Sequence, residues 1–108
     1  MIMHLVTLTW RSGVTNDDVV AVIEGLTSLP GQIPELLSYN FGPDLGLRDG
    51  NADFAVAAVL DSPEALPAYL DHPEHVRILK EFIAPLIATR QSVQIELPQE
   101  TESSGTSS

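Results

Sequence analysis

Apolar and polar residues alternate at the start of the chain. In His4-Leu5-Val6-Thr7-Leu8-Thr9-Trp10, His4, Val6, Leu8 and Trp10 share one face, and Leu5, Thr7 and Thr9 share the other. That period of two predicts a strand, and Ser12-Gly13 ends it. The spacing then changes. Val19, Val22, Ile23, Leu26 and Leu29 recur along one helical face. Thr15 stands where an N-cap is needed, with Asp18 three residues on as in a capping box. Asp17 and Asp18 suit the positive end of a helix, and Pro30-Gly31 stops it. Alternation returns over residues 36–41, with Leu37, Tyr39 and Phe41 set against Leu36, Ser38 and Asn40. The Gly-, Asp- and Asn-rich stretch 42–51 reads as a loop. Residues 53–60 predict a third strand, apolar on both faces: Phe54, Val56, Ala58 and Leu60 on one, Ala55, Ala57 and Val59 on the other. Such a strand needs cover on both sides.

Ser62-Pro63-Glu64 opens a short helix, with Pro63 where a missing N–H costs least. Pro67 shortens or distorts it. It ends near Asp71, because a residue preceding proline avoids helical angles. His72 then falls at an N-cap and Pro73 begins a last helix, whose buried face would be Val76, Leu79, Phe82, Ile83 and Leu86. Pro85 kinks or ends that helix, and residues 90–97 form a final strand. The domain is expected over residues 1–97. The segment 98–108 has no large apolar residue and is expected to be a disordered, acidic and Ser-rich tail.

The order is βαββααβ. It predicts an α+β, ferredoxin-like fold: an antiparallel four-stranded sheet with helices on one face. The helices cannot cover Leu5, Ala55, Ala57 and Val59. Two sheets packed face to face would bury them, so a homodimer forming a dimeric α/β barrel is expected. A monomer with a mildly apolar open face is the alternative.

Charge narrows the partners. Fifteen acids face five bases, a net charge of −10. Arg11, Arg48, Arg77, Lys80 and Arg90 are scattered and form no basic stripe. Such a surface repels phosphate backbones and anionic membranes, so neither nucleic acid nor membrane is expected as a partner. No apolar run approaches the ~20 residues of a membrane helix, and the start lacks the features of a signal peptide. There is no cysteine, hence no disulfide or thiolate chemistry, and the cytoplasm is the expected compartment.

The chemistry concentrates in Tyr69-Leu70-Asp71-His72-Pro73-Glu74-His75. Two of the three histidines and one of the two tyrosines lie in these seven residues. Tyr69 closes one helix and His75 lies in the first turn of the next, so both can point into one space. The helix dipole there favours neutral imidazole, which can act as a general base near pH 7, while Glu74 pushes the other way. A tyrosine hydroxyl can donate to a carbonyl and stabilise an enolate. The pair suits proton abstraction next to a carbonyl. The competing reading makes Tyr69 core, His75 a packing residue and His72 a cap. A metal site from His72, His75 and His4 is disfavoured, because the spacing is three rather than four and Pro73 breaks the face. Neither a metal nor a cofactor is expected. Gly-rich phosphate loops, nucleophile elbows and dinucleotide fingerprints are absent.

His4 shares its face with Val6 and Leu8, and would border the same cavity as His75. Phe54 and Val56 would line that cavity from the third strand, Ile23 and Leu26 from the first helix, and Ile78 from the last. Each such residue is more often plain core; the binding reading rests on their convergence with Tyr69 and His75.

Several strings together resemble one family. They are His4-Leu-Val-x-Leu-x-Trp10, Ile33-Pro34, Phe41-Gly42-x-Asp44 and, most specifically, Tyr69-x-x-His72-Pro73-x-His75. They resemble the stress-responsive dimeric α/β-barrel (Dabb) family, over about residues 1–97. The resemblance implies a ferredoxin-like fold that dimerises through its sheets. Within the family, the olivetolic acid cyclase-like members carry a catalytic tyrosine and histidine that match Tyr69 and His75. In them the histidine is the base of an intramolecular aldol closure and the tyrosine assists at a carbonyl. Their first-strand histidine matches His4. Phe54 stands where they carry a pocket histidine, and Arg77 where they carry a small residue. The resemblance thus implies a cofactor-independent enzyme on a small, largely apolar carbonyl substrate, most concretely a polyketide cyclase-like lyase. Two other readings stay open. One is a non-catalytic, stress-responsive protein that binds a small apolar carbonyl or aromatic ligand; the other is a cofactor-free oxygenase on a phenol.

Overall fold

A computed structural model describes residues 1–98; the expected tail lies outside the described residues except for Pro98. The elements are β1 (Ile2–Trp10), α1 (Asn16–Thr27), β2 (Ser38–Pro43), β3 (Phe54–Leu60), α2 (Leu66–Leu70), α3 (Pro73–Ile78) and β4 (Ile87–Glu96). The four strands form one antiparallel sheet in the order β2-β3-β1-β4, with the helices on one face. This is the ferredoxin-like arrangement that the order of elements predicts. Among the described residues no helix is long and apolar enough to cross a membrane.

Helix α1 begins as its sequence dictates. Thr15 Oγ1 accepts from the Asp18 N–H at 3.2 Å, and Asp18 Oδ2 accepts from the Thr15 N–H at 2.9 Å. The helix stops at Thr27, two residues before the expected end, yet Leu29 is still fully buried just beyond it. Gly25 lets α1 and α3 approach closely: a Cβ there would stand 3.3 Å from Ile78 Cγ2. Strand β2 is displaced by two residues from expectation, to Ser38–Pro43. Its pairing starts where Leu37 N–H donates to the Val59 carbonyl at 2.9 Å, and Leu37 itself is exposed.

The region around Pro67 distorts as expected. A 3₁₀ turn over Pro63–Ala65 runs into the five-residue α2. His72 caps α3, its Nδ1 accepting from the Glu74 N–H at 3.1 Å. The last helix packs Leu79, Phe82, Ile83 and Leu86 inward as expected and differs at Val76 and in form. Val76 is exposed, and the buried side runs through His75, Ile78 and Ile83. Pro73 fixes the start of α3, and Val76 then sits 100° round from His75. Beyond Ile78 the helix widens into a π turn over Leu79–Ile83, where the Ala84 N–H donates to the Leu79 carbonyl five residues back, at 2.7 Å. Pro85 follows, with no N–H to continue the ladder.

The core lies between sheet and helices. Leu8, Val22, Leu26, Leu29, Phe54 and Leu60 are buried there. On the other face Leu5 pairs with Val93 and Met3 with Ile95 across β1 and β4, and Leu5 pairs with Ala57 across β1 and β3. Val93 and Ile95 are exposed. This face has no helix over it.

Candidate functional site

Sheet register brings the site's floor together. Tyr39 of β2 lies beside Ala58 of β3, Ala58 beside His4 of β1, and His4 beside Gln94 of β4. All four point toward the helices. Ala58 is the small member of the row and leaves room above it for Tyr69, which descends from α2. The Tyr69 ring sits edge-on to both neighbours, with centroids 5.6 Å from Tyr39 and 6.2 Å from His4. The His75 ring lies 4.4 Å from that of Tyr69. Tyr69 is 2 % exposed, His4 2 % and His75 6 %. The two residues singled out by the sequence therefore do meet, and His4 joins them.

Hydrogen bonds fix what each ring presents. His75 Nδ1 lies 3.0 Å from the Leu70 carbonyl oxygen. A carbonyl only accepts, so Nδ1 carries the proton and Nε2 keeps its lone pair. No buried side-chain nitrogen or oxygen among the described residues lacks a partner. Nε2 has no protein partner among them, so it opens onto accessible space. His4 is set the opposite way. Gln94 Nε2 donates to His4 Nδ1 at 2.8 Å, which leaves the proton of His4 on Nε2. The Tyr39 and Tyr69 hydroxyls are 2.8 Å apart and share one hydrogen bond. The cavity thus offers one base, one imidazole N–H and a phenol pair.

Electrostatics agree with neutral imidazoles. Burial, above all, lowers the pKa of His75, and the charges of Arg90 and His72 add to it, against the Leu70 carbonyl and Asp71. Burial likewise lowers His4, with Arg90 and His75 contributing. The sequence suggests a helix dipole as the cause for His75, whereas the leading cause in the structure is desolvation by burial. Glu74 does not oppose it, because its carboxylate pairs with Arg77 at 3.0 Å on the outer surface. Burial raises Tyr39 and Tyr69; their shared bond raises Tyr39 and lowers Tyr69.

These directions set a pH dependence. A histidine with a depressed folded pKa binds fewer protons folded than unfolded, so its contribution is complete above the unfolded value of 6.5 and is lost as pH falls from there toward the folded value. Stability is expected to be flat from pH 8 to about 6.5. Below that it should fall by up to about 1.4 kcal/mol per pH unit for each buried histidine. Urea midpoints across this range check it, and the His75→Gln variant should show a shallower fall.

The cavity is partly open and small, about 30 Å³, room for about two waters. His4, Val6, Leu8, Leu26 and Val56 line it as expected, with Tyr69 and His75. Three expected lining residues do not. Phe54 packs on Trp10 with centroids 5.6 Å apart, Ile78 turns to Gly25, and Ile23 is partly buried against the core. Five lining residues fall outside the expected set: Leu70, Leu79 and Ile83 from the helical side, and Tyr39 and Arg90 from the sheet. Tyr39 is far from Tyr69 in sequence, and only the strand register reveals their meeting. Arg90 lies on the polar strand β4 and reaches the cavity from its edge. Alternation in β4, with Arg90, Ser92 and Gln94 on one face, was the available signal. Arg77 is outside the cavity and holds Glu74 and Glu81 instead. Among the described residues no three His, Cys, Asp or Glu side chains gather as a metal-binding group.

Comparison with known proteins places the fold. An uncharacterized protein of Streptomyces coelicolor is 36 % identical over 93 residues, covering 82 % of this chain and 96 % of that one. A crystal structure from Thermobifida fusca, described as a dimeric ferredoxin-like protein of unknown function, is 49 % identical with a TM-score of 0.83, covering 89 % of this chain and 90 % of that one. The hydroxynitrile lyase of Passiflora edulis shares the fold, with a TM-score of 0.77 at 18 % identity, covering 93 % of this chain and 90 % of that one. The model of the stress responsive A/B barrel domain matches residues 2–97. The chain belongs to the stress responsive A/B barrel domain (Dabb) family.

Proposed function

We propose that the protein is a cofactor-independent acid–base enzyme acting on a small carbonyl compound, and that it works as a homodimer. The observation that carries the reading is the His75 tautomer: Nδ1–H held by the Leu70 carbonyl, Nε2 without a protein partner, and the ring lining the cavity against that of Tyr69. In this reading Nε2 takes a proton from the carbon next to the carbonyl. The C–H electron pair becomes the C=C bond of the enolate, the carbonyl π pair moves onto the oxygen, and the Tyr69 O–H donates to that oxygen as charge builds. Tyr39 donates to Tyr69, which frees the Tyr69 hydrogen for substrate. His4 Nε2–H is a second donor. For an aldol closure, the enolate carbon attacks a second carbonyl and the new alkoxide takes the proton back from His75. Apolar walls at Val6, Leu26 and Val56 strengthen these interactions by excluding water.

The small volume bears on the substrate. A long polyketide does not lie wholly inside about 30 Å³; a compound that puts only its carbonyl end past Tyr69 does. The same tightness favours a second reading, a protein that holds a small carbonyl ligand without turning it over. Dimerisation is supported by the uncovered apolar sheet face and by the dimeric relative at 49 % identity.

Exchange of α-protons in heavy water separates the two readings. The enzyme reading expects the wild type to accelerate deuterium uptake by short ketones and β-diketones. The binding reading expects shifts of cavity NMR signals with no acceleration, and that outcome would sink the enzyme.

A further inference from the structure

The mouth of the cavity has a chemistry of its own. On its helix-side face β4 carries Arg90, Ser92 and Gln94, opposite Leu8, Val6 and His4 of β1. All three are exposed. The deep cavity is apolar around its tyrosines and imidazoles; its edge is polar and holds one cation. Arg90 lines the cavity beside Leu8, its partner on β1, which lines it too. Its charge is felt by every buried titratable ring in the cavity except Tyr39: it lowers His4, Tyr69 and His75 alike. Among the described residues the ion pairs are those of Arg77 with Glu74 and Glu81, and Arg90 has none. In a chain with fifteen acids, a cation left unpaired at a cavity mouth is set for a ligand.

We propose that Arg90 binds a carboxylate on the outward end of the substrate, so that the substrate class is a short oxo acid rather than a neutral ketone. The assignment rests on the acid–base reading for which end of the molecule enters first. Tyr69 and His75 are deep and take the carbonyl; Arg90 is at the rim and meets whatever points outward. A guanidinium fork matches one carboxylate with two parallel hydrogen bonds. A single cation against a net charge of −10 is poorly matched to a dianion such as a phosphate monoester.

The test uses levulinate and its methyl ester, which differ in the charge and not in the carbonyl. NMR titration of the full-length protein, read at the His4, His75 and Tyr69 ring signals, is expected to show levulinate binding at least about tenfold tighter than the ester. Arg90→Gln should bring the two within about twofold by weakening the acid. Tyr69→Phe should weaken both and keep their ratio. Equal binding by the wild type, a preference that survives in Arg90→Gln, or no response to either compound would overturn the assignment. Preferred binding of the acid with no α-proton exchange would instead count against the catalytic reading and leave the anion site standing.

Discussion

Replacing His75 with alanine is expected to slow α-proton exchange by about 10²–10⁴-fold, the usual worth of a positioned general base. The fold should survive, because the change removes one ring beside a cavity that is already open. Truncating a buried side chain of this kind costs about 1–3 kcal/mol. The companion change, Tyr69→Phe, removes the donor to the forming enolate oxygen and is expected to cost about 10²–10³-fold. It also takes from the partly buried Tyr39 hydroxyl its partner at 2.8 Å, a loss bounded by the about 1–3 kcal/mol of a fully buried unsatisfied group. The two variants should differ in one respect. His75→Ala should lose the acidic limb of the rate profile, the limb that lies below 6.5 because burial depresses His75. Tyr69→Phe should keep that limb at a lower rate. Circular dichroism and sedimentation establish that each variant is folded and assembled. Wild-type exchange rates in both would refute the acid–base pair.

Leu5→Asp is expected to convert the homodimer into folded monomers. Leu5 sits at the middle of the uncovered sheet face, with Ala57 on one side and Val93 on the other. In a face-to-face dimer it lies between two sheets about 10 Å apart. A carboxylate placed there is desolvated without a partner, at a cost of several kcal/mol per copy, and two-fold symmetry sets one carboxylate near its mate. In the monomer the same side chain faces water, so the fold itself is little affected. Sedimentation equilibrium should move from twice the chain mass of 11.7 kDa to that mass. The helix-side cavity lies on the opposite face of the sheet. Loss of exchange in the monomer would therefore show that the second copy shapes the site.

Much of the fold was legible because its signals are local. The alternation in β1 and β3 names their faces, and the Thr15–Asp18 capping box marks the start of α1 to the residue. Pro73 assigns His72 to a cap. The signals fail where structure depends on phase or register. Val76 was expected inside and is outside, because one residue of helical phase is 100°. The π turn over Leu79–Ile83 has no pattern of its own in the chain. Phe54 and Ile78 are apolar and close to the site, but the sequence does not reveal that one stacks on Trp10 and the other fills the space over Gly25.

The site divides in the same way. Tyr69 and His75 were readable from a seven-residue string, and His4 from the face it shares with Val6 and Leu8. Tyr39 was not, since its hydroxyl meets Tyr69 only through the pairing of Tyr39 with Ala58 and of Ala58 with His4. Arg90 belongs to a run, Arg90, Ser92 and Gln94, that is polar throughout on its cavity side, which reads as a solvated edge until β4 is placed beside β1. Sequence identifies the chemistry that is contiguous; strand register supplies the rest.

The proton position on His75 tests the central claim most directly. Long-range ¹H–¹⁵N NMR of the ring, followed through a pH titration, should show Nδ1 protonated and Nε2 bare above pH 6.5, with the ring charging only below that value. A ring protonated on Nε2, or one already charged above pH 6.5, would contradict His75 as the base.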